Sequence, residues 1–132
     1  MLLTQKCIAE GGRSMIYECA LLTDEMHTLQ QAGKKEEADK VDDVLGFMTP
    51  ILKGFLTEKG IEAATLGVQL YGGHGYIKSN KQEQVLRDVR IAAIWEGTTG
   101  IQALDLLGRK IFRPRANLKV CREAEMGHRE CD

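Results

Sequence analysis

Apolar residues recur along most of this chain at helical intervals, and nowhere do they show sustained strand alternation. From about Leu2 to Gln30 they fall at Leu3, Cys7, Ile8, Met15, Ile16, Cys19, Leu22, Met26 and Leu29. Steps of that size draw one stripe along a helix, which turns once in about 3.6 residues. The rhythm returns from about Val41 to Tyr71, where Ile51, Leu52, Phe55, Leu56, Ile61, Ala64, Leu66, Val68 and Leu70 form a face. It returns again from about Lys81 to Trp95 through Val85, Leu86, Val89, Ile91, Ala92 and Ile94. A last stretch, about Thr99 to Phe112, places Ile101, Leu104, Leu107, Gly108 and Ile111 on an inner face. Four helices with short connections predict an all-α fold, an antiparallel four-helix bundle.

The breaks in the pattern set its punctuation. Gly11-Gly12 interrupts the first stripe, as a close approach to a neighbouring helix or a kink would require. Gln31 to Lys40 is polar and charged and reads as an exposed connection, partly disordered, with Gly33 suited to end the preceding helix. At Thr49-Pro50 a threonine cap and a first-turn proline predict that a helix restarts. Gly72-Gly73-His74-Gly75 stops the second helix and Tyr76 to Asn80 forms a loop. Thr99-Gly100-Ile101-Gln102 matches a capping box. After Arg113-Pro114 the pattern ends. Residues 1–112 thus form one helical domain, and residues 113–132 are expected to be a poorly ordered polar tail.

Composition narrows the partners. The net charge of -1 gives no basic surface for nucleic acid. No apolar run approaches the roughly 20 residues that cross a bilayer, and Met1-Leu2-Leu3 leads into Thr4-Gln5-Lys6 with no signal-peptide core. Cys7, Cys19, Cys121 and Cys131 form no CxxC pair and have no histidine spacing that suggests zinc, so no metal site is expected. Cys7 and Cys19 fit the apolar stripe as buried small hydrophobes, and a reduced, cytoplasmic setting suits them. Cys121 and Cys131 sit in the polar tail.

Chemistry concentrates around Glu96. A carboxylate that removes a carbon-bound proton beside a carbonyl needs apolar surroundings that raise its pKa. Glu96 follows Ala92-Ala93-Ile94-Trp95. Gly97 lacks a Cβ and lets a substrate approach, and Thr98 and Thr99 bring hydroxyls and a helix start. Spacing alone favours the plainer reading, a solvated residue at a helix end. Gly72-Gly73-His74-Gly75 follows a helix rather than a strand, so it is not a dinucleotide turn. It exposes backbone amides to a phosphate or another chain, or it is simply a tight turn with His74 a turn residue. Arg87, Asp88 and Arg90 read as a solvated, partly ion-paired face.

Taken together, Gln69-x-x-Gly72-Gly73-x-Gly75-Tyr76, Arg87-Asp88, Glu96-Gly97-Thr98 and Ile101-Gln102 resemble the C-terminal domain of acyl-CoA dehydrogenases. Gln5-Lys6 and Glu10-Gly11-Gly12-Arg13 look like the same bundle in longer members that act on unusual or methylthio-substituted acyl-CoAs. The resemblance implies that Glu96 is the base that takes the pro-R α-proton while the β-hydride passes to FAD, giving a trans-2-enoyl-CoA. It implies that the Glu96 N–H polarises the thioester carbonyl, and that Trp95 and Gly97 border the substrate. Thr98 would contact FAD, and Gln69, Gly72 and Gly73 would touch the FAD pyrophosphate of a neighbouring subunit in a homo-oligomer. Electron-transferring flavoprotein is the family's usual electron acceptor. Gly100 departs from the pattern, standing where many members carry a glutamine that contacts the cofactor. The family's N-terminal helical and central β domains, and the FAD-binding arginine of its opening bundle helices, are not in this sequence. The isolated chain is therefore expected to be inactive, with an oligomerising helical module or a truncated remnant as the alternative.

Overall fold

The computed structural model describes residues 1–112, all helix and turn. The expected tail, with Cys121 and Cys131, lies outside the described residues. Helix α1 spans Leu2–Gln31, α2 Lys35–Tyr71, α3 Gln82–Arg90 and α4 Thr99–Leu104. Short 3-10 turns cover Gly72–Tyr76, Lys78–Asn80 and Ile91–Ala93, and Asp105–Ile111 continues α4 as a π-helical stretch. No described helix is long and apolar enough to cross a membrane.

α2 is the spine of the fold, and α1, α3 and α4 all pack on it. α1 meets it through Gln5, Ile8, Gly12, Met15, Cys19, Leu22, Met26 and Leu29, which are buried or half-buried. Their steps alternate between three and four, giving a narrow coiled-coil-like seam rather than a broad stripe. Leu3 and Ile16, expected on the inner face, are 77% and 51% exposed. Cys7 is exposed as well and Cys19 is half-buried, which corrects the expectation that both thiols are core residues.

Of the two adjacent glycines, Gly12 is the packing residue. A Cβ there would stand 2.9 Å from Leu56 Cδ2, whereas one at Gly11 would meet nothing within 4 Å. Gly67 does the same for α2, where a side chain would displace the amides of Gln82 and Gln5. Those amides donate to the Ala63 carbonyl (Gln5 Nε2, 2.7 Å) and the Ala64 carbonyl (Gln82 Nε2, 3.4 Å). One glutamine from α1 and one from α3 are thereby fastened to the same turn of α2.

Two helix starts and one covered face differ here from the sequence reading. The connection after α1 is only Ala32 to Lys34, because residues 35–40 form the first turns of α2. The turn closes as a Schellman motif, with the Gly33 N–H donating to the Gln30 carbonyl (3.1 Å) and the Lys34 N–H to the Leu29 carbonyl (3.0 Å). Glu36 and Glu37 then suit the positive helix N-terminus, and Ala38 is 1% exposed. Pro50 lies inside α2 and starts no new helix. An interior proline costs about 3 kcal/mol, but Pro50 is buried where Gln102, Ala103 and Leu106 come against α2. The third correction concerns α4 and its continuation. Gln102, Leu106 and Lys110 are the half-buried side, while Ile101, Leu104, Leu107, Gly108 and Ile111 face outward.

Candidate functional site

The chain after α3 tightens into the Ile91–Ala93 turn, with the Ile94 and Trp95 N–H groups both donating to the Ile91 carbonyl (2.9 and 2.8 Å). This stops the third helix short of its expected end at Trp95 and throws Glu96 into a turn. Glu96 has φ +54° and Gly97 has φ +97°. Two successive left-handed residues reverse the chain before α4 begins. For glycine that conformation is easy. For glutamate it costs on the order of 1–3 kcal/mol and persists only when neighbouring structure holds it.

Four hydrogen bonds do the holding. Lys53, from the middle of α2, donates Nζ to the Gly97 carbonyl. Gln102 Nε2 donates to the Glu96 carbonyl (3.3 Å). The Thr99 hydroxyl donates to Glu58 Oε1 (2.7 Å), a second link to α2. Thr98 Oγ1 accepts from the Ile101 N–H (3.4 Å) and caps α4. The cap is therefore Thr98 and not Thr99, and Gln102 reaches past the cap to the turn. The capping-box reading was one residue out of register, because Thr99 is drawn away by Glu58 on α2.

The Glu96 carboxylate is exposed, beside Trp95 at 64% and Ile94 at 53% exposure. The described residues thus orient the carboxylate but do not enclose it. Among them no backbone carbonyl accepts the Glu96 N–H, which leaves that donor available.

The glycine turn is built differently. Gly72 has φ +57° and ψ -141°, a combination open in practice to glycine alone, and its N–H donates to the Gln69 carbonyl. Gly75 is buried, with Val68 O only 2.4 Å from where a Cβ would lie. Asn80 Nδ2 donates to the His74 carbonyl (2.7 Å) and braces the turn from below, with His74 itself exposed as a turn residue. Gln69, Gly72 and Gly73 are exposed, and a Cβ on Gly72 or Gly73 would meet nothing within 4 Å. On the neighbouring α3, Asp88 accepts from Gln84 Nε2 (2.6 Å) instead of pairing with Arg87 or Arg90.

The structure brings Trp95, Glu96, Gly97 and Thr98 together and keeps Gln69, Gly72 and Gly73 apart from them. Lys53 and Gln69 lie on the same unbroken helix, sixteen residues apart, which is about 24 Å at 1.5 Å per residue. Sequence reasoning missed Lys53 and Glu58. Lys53 had a signal, since it is the only charged residue between Asp43 and Glu58 in an otherwise apolar and small run. Glu58 had none.

A family model described as the C-terminal domain of acyl-CoA dehydrogenase matches residues 1–112. The chain is 43% identical over 113 residues to 3-methylmercaptopropionyl-CoA dehydrogenase of Ruegeria pomeroyi, covering 86% of this chain and 18% of that one. It is 36% identical over 119 residues to a broad-specificity linear acyl-CoA dehydrogenase of Mycobacterium tuberculosis, again with 86% and 18% covered. An acyl-CoA dehydrogenase of Bacillus subtilis is 44% identical over 96 residues, 73% of this chain and 21% of its own length. The chain spans about a fifth of the curated relatives that it matches.

Proposed function

Because this chain belongs to the acyl-CoA dehydrogenase family, through the C-terminal domain of that family, we propose that its Trp95–Thr98 turn carries the base of an FAD-dependent α,β-dehydrogenation of an acyl-CoA thioester. The observation that carries the reading is the left-handed Glu96. A glutamate held at positive φ by bonds to its own carbonyl and the next one is a costly arrangement. It sets the direction of one carboxylate and leaves that carboxylate uncovered.

In this mechanism Glu96 takes the proton from the substrate α-carbon. The Glu96 N–H donates to the thioester carbonyl as negative charge gathers there. Trp95 offers an exposed aromatic face against the acyl chain, and Gly97 leaves room for it.

The residues present fit part of an FAD site. Thr98 accepts the cap bond from Ile101, and its exposed hydroxyl would be available to contact the flavin. Gln69, Gly72 and Gly73 present an open amide and an uncrowded backbone, suited to the pyrophosphate. When bound, FAD supplies the acceptor for the β-hydride. The span of about 24 Å along α2 supports a reading in which those three residues serve a neighbouring copy, and so a homo-oligomer. The Ruegeria pomeroyi relative supports a methylthio-substituted acyl-CoA among the candidate substrates, and electron-transferring flavoprotein is the proposed acceptor.

The test is Glu96→Gln in the complete polypeptide that carries this domain. Dehydrogenation of acyl-CoA should be abolished with FAD still bound, and retained turnover would remove Glu96 from the role of base.

A further inference from the structure

We propose that Lys53 is a positioning residue for the Glu96 base, holding the turn so that the carboxylate reaches the substrate α-carbon. The inference rests on the reading of Glu96 as the base and extends it to a residue on another helix.

Two of the four bonds that fix the turn are local. Gln102 to the Glu96 carbonyl and Thr98 to the Ile101 N–H join the turn to α4, which follows it directly. They shape the turn but cannot place it relative to the rest of the fold. Placement falls to the bonds that reach α2. One is Thr99 to Glu58, between two exposed side chains. The other is Lys53 to the Gly97 carbonyl, made by a half-buried ammonium across 44 residues of sequence. Each involves an ionised partner and is therefore charge-assisted. The Lys53 bond is part-buried, which strengthens it, whereas solvent screens the exposed Thr99–Glu58 pair.

The position of Lys53 argues against a general solubilising role. It sits on the part of α2 that packs on α4, between Leu52 and the buried Gly54. The Gly97 carbonyl that it meets belongs to the residue immediately after the base. A shift of that carbonyl turns the Gly97–Thr98 peptide and, through Gly97, moves the Glu96 backbone next to it, and an error of about 1 Å in a reacting group can cost a hundredfold in rate. Without Lys53, Gly97 loses its partner and the left-handed pair loses its direct bond to the spine, leaving only the exposed Thr99–Glu58 link two residues on.

The test has two arms. In this chain, Lys53→Met should speed backbone amide exchange at residues 96–101 at least tenfold, with helix content by circular dichroism unchanged and Lys53→Arg restoring protection. In the complete FAD-loaded polypeptide, Lys53→Met should lower kcat and the rate of deuterium uptake at the substrate α-carbon by ten- to a hundredfold. KM and FAD content should stay near the parent's, and Lys53→Arg should recover most of kcat. If Lys53→Met unfolds the chain, Lys53→Gln carries both arms. Unchanged exchange at the turn or an unchanged kcat would overturn the positioning role. Glu96→Gln serves as the control that separates the two ideas. If it abolishes α-carbon exchange while Lys53→Met leaves the exchange rate at the parent's, the base stands and the positioning role falls. If Glu96→Gln leaves exchange intact, the reading of Glu96 is what fails.

Discussion

Gly11 and Gly12 are neighbours on one helix, and the structure assigns them different responses to the same substitution. Replacing glycine by alanine inside a helix gains about 0.8–1 kcal/mol, from backbone entropy and intrinsic propensity. At Gly11 nothing opposes the gain, since a Cβ there meets nothing within 4 Å. Gly11→Ala should therefore stabilise the chain by about 1 kcal/mol, or about 4 °C in Tm for a domain of this size. At Gly12 the same gain is set against a Cβ placed 2.9 Å from Leu56 Cδ2. Overpacking of this kind costs about 1–3 kcal/mol. Leu56 is half-buried and its Cδ2 is a side-chain end that can yield by a rotamer change, which argues for the lower end of that range. Gly12→Ala should then gain nothing and cost about 0–1 kcal/mol, from the difference of the two terms. Urea denaturation of the parent and both variants, monitored by circular dichroism at 222 nm, measures the pair directly. Because the two sites share a helix, host and unfolded chain, the propensity term cancels in the comparison. Equal stabilisation by both substitutions would refute the close approach of α1 to α2 at Gly12.

Gly75→Ala should destabilise by more than 2 kcal/mol, an estimate from overpacking against backbone that cannot rotate away, since the new Cβ would lie 2.4 Å from the Val68 carbonyl oxygen. A Tm within a degree of the parent would contradict the buried turn. The two described thiols should also separate in reactivity. Burial first, and the neighbouring Glu18 second, push the Cys19 thiol up. The thiolate is the nucleophile, so Cys19 should need higher pH than the exposed Cys7 for the same rate of alkylation by iodoacetamide. Peptide mapping at pH 7 to 9 should find Cys7 modified first throughout, and equal rates would place both thiols in one environment.

Helical periodicity and its glycine breaks were enough to give four helices and the glycine turn after α2, and they marked Gly11-Gly12 as a close approach or a kink, of which the structure has the close approach, at Gly12 alone. What it could not give was the identity of the covered side. Ile101, Leu104, Leu107 and Ile111 do form a stripe, but the structure covers the adjacent one through Gln102 and Leu106. Periodicity reports that apolar residues share a face, and the packing partner decides whether that face is inside. The start of α2 was hidden for a different reason. Lys34 to Lys40 is charged enough to pass for a loop, although Lys, Glu and Ala are all good helix formers. Pro50 misled because its local cost is real and is offset by packing that has no local trace. Lys53 belongs to the same class, since its partner is 44 residues away. Around Glu96, residue types and order pointed to the turn, while the positive φ and its bonds are tertiary facts.

On the proposed reading of Glu96 as the base, these facts divide its requirements between the aim that the described residues supply and the enclosure that they leave to other surface. Aim is supplied here, because two carbonyls of the turn are held, one by α2 and one by α4. Enclosure is not, because Trp95, Ile94 and Glu96 are all exposed and the buried apolar side chains among the described residues are only Ala38, Pro50, Ala64 and Ala93. A carboxylate in open water is a weak base for a carbon acid, however well it is directed. Covering Ile94 and Trp95 with apolar surface would desolvate Glu96 without moving it. The rigid turn therefore matters most once the covering surface is in place: a base already aimed needs no rearrangement when water is excluded, so the binding that encloses it can go into raising its basicity rather than into ordering it.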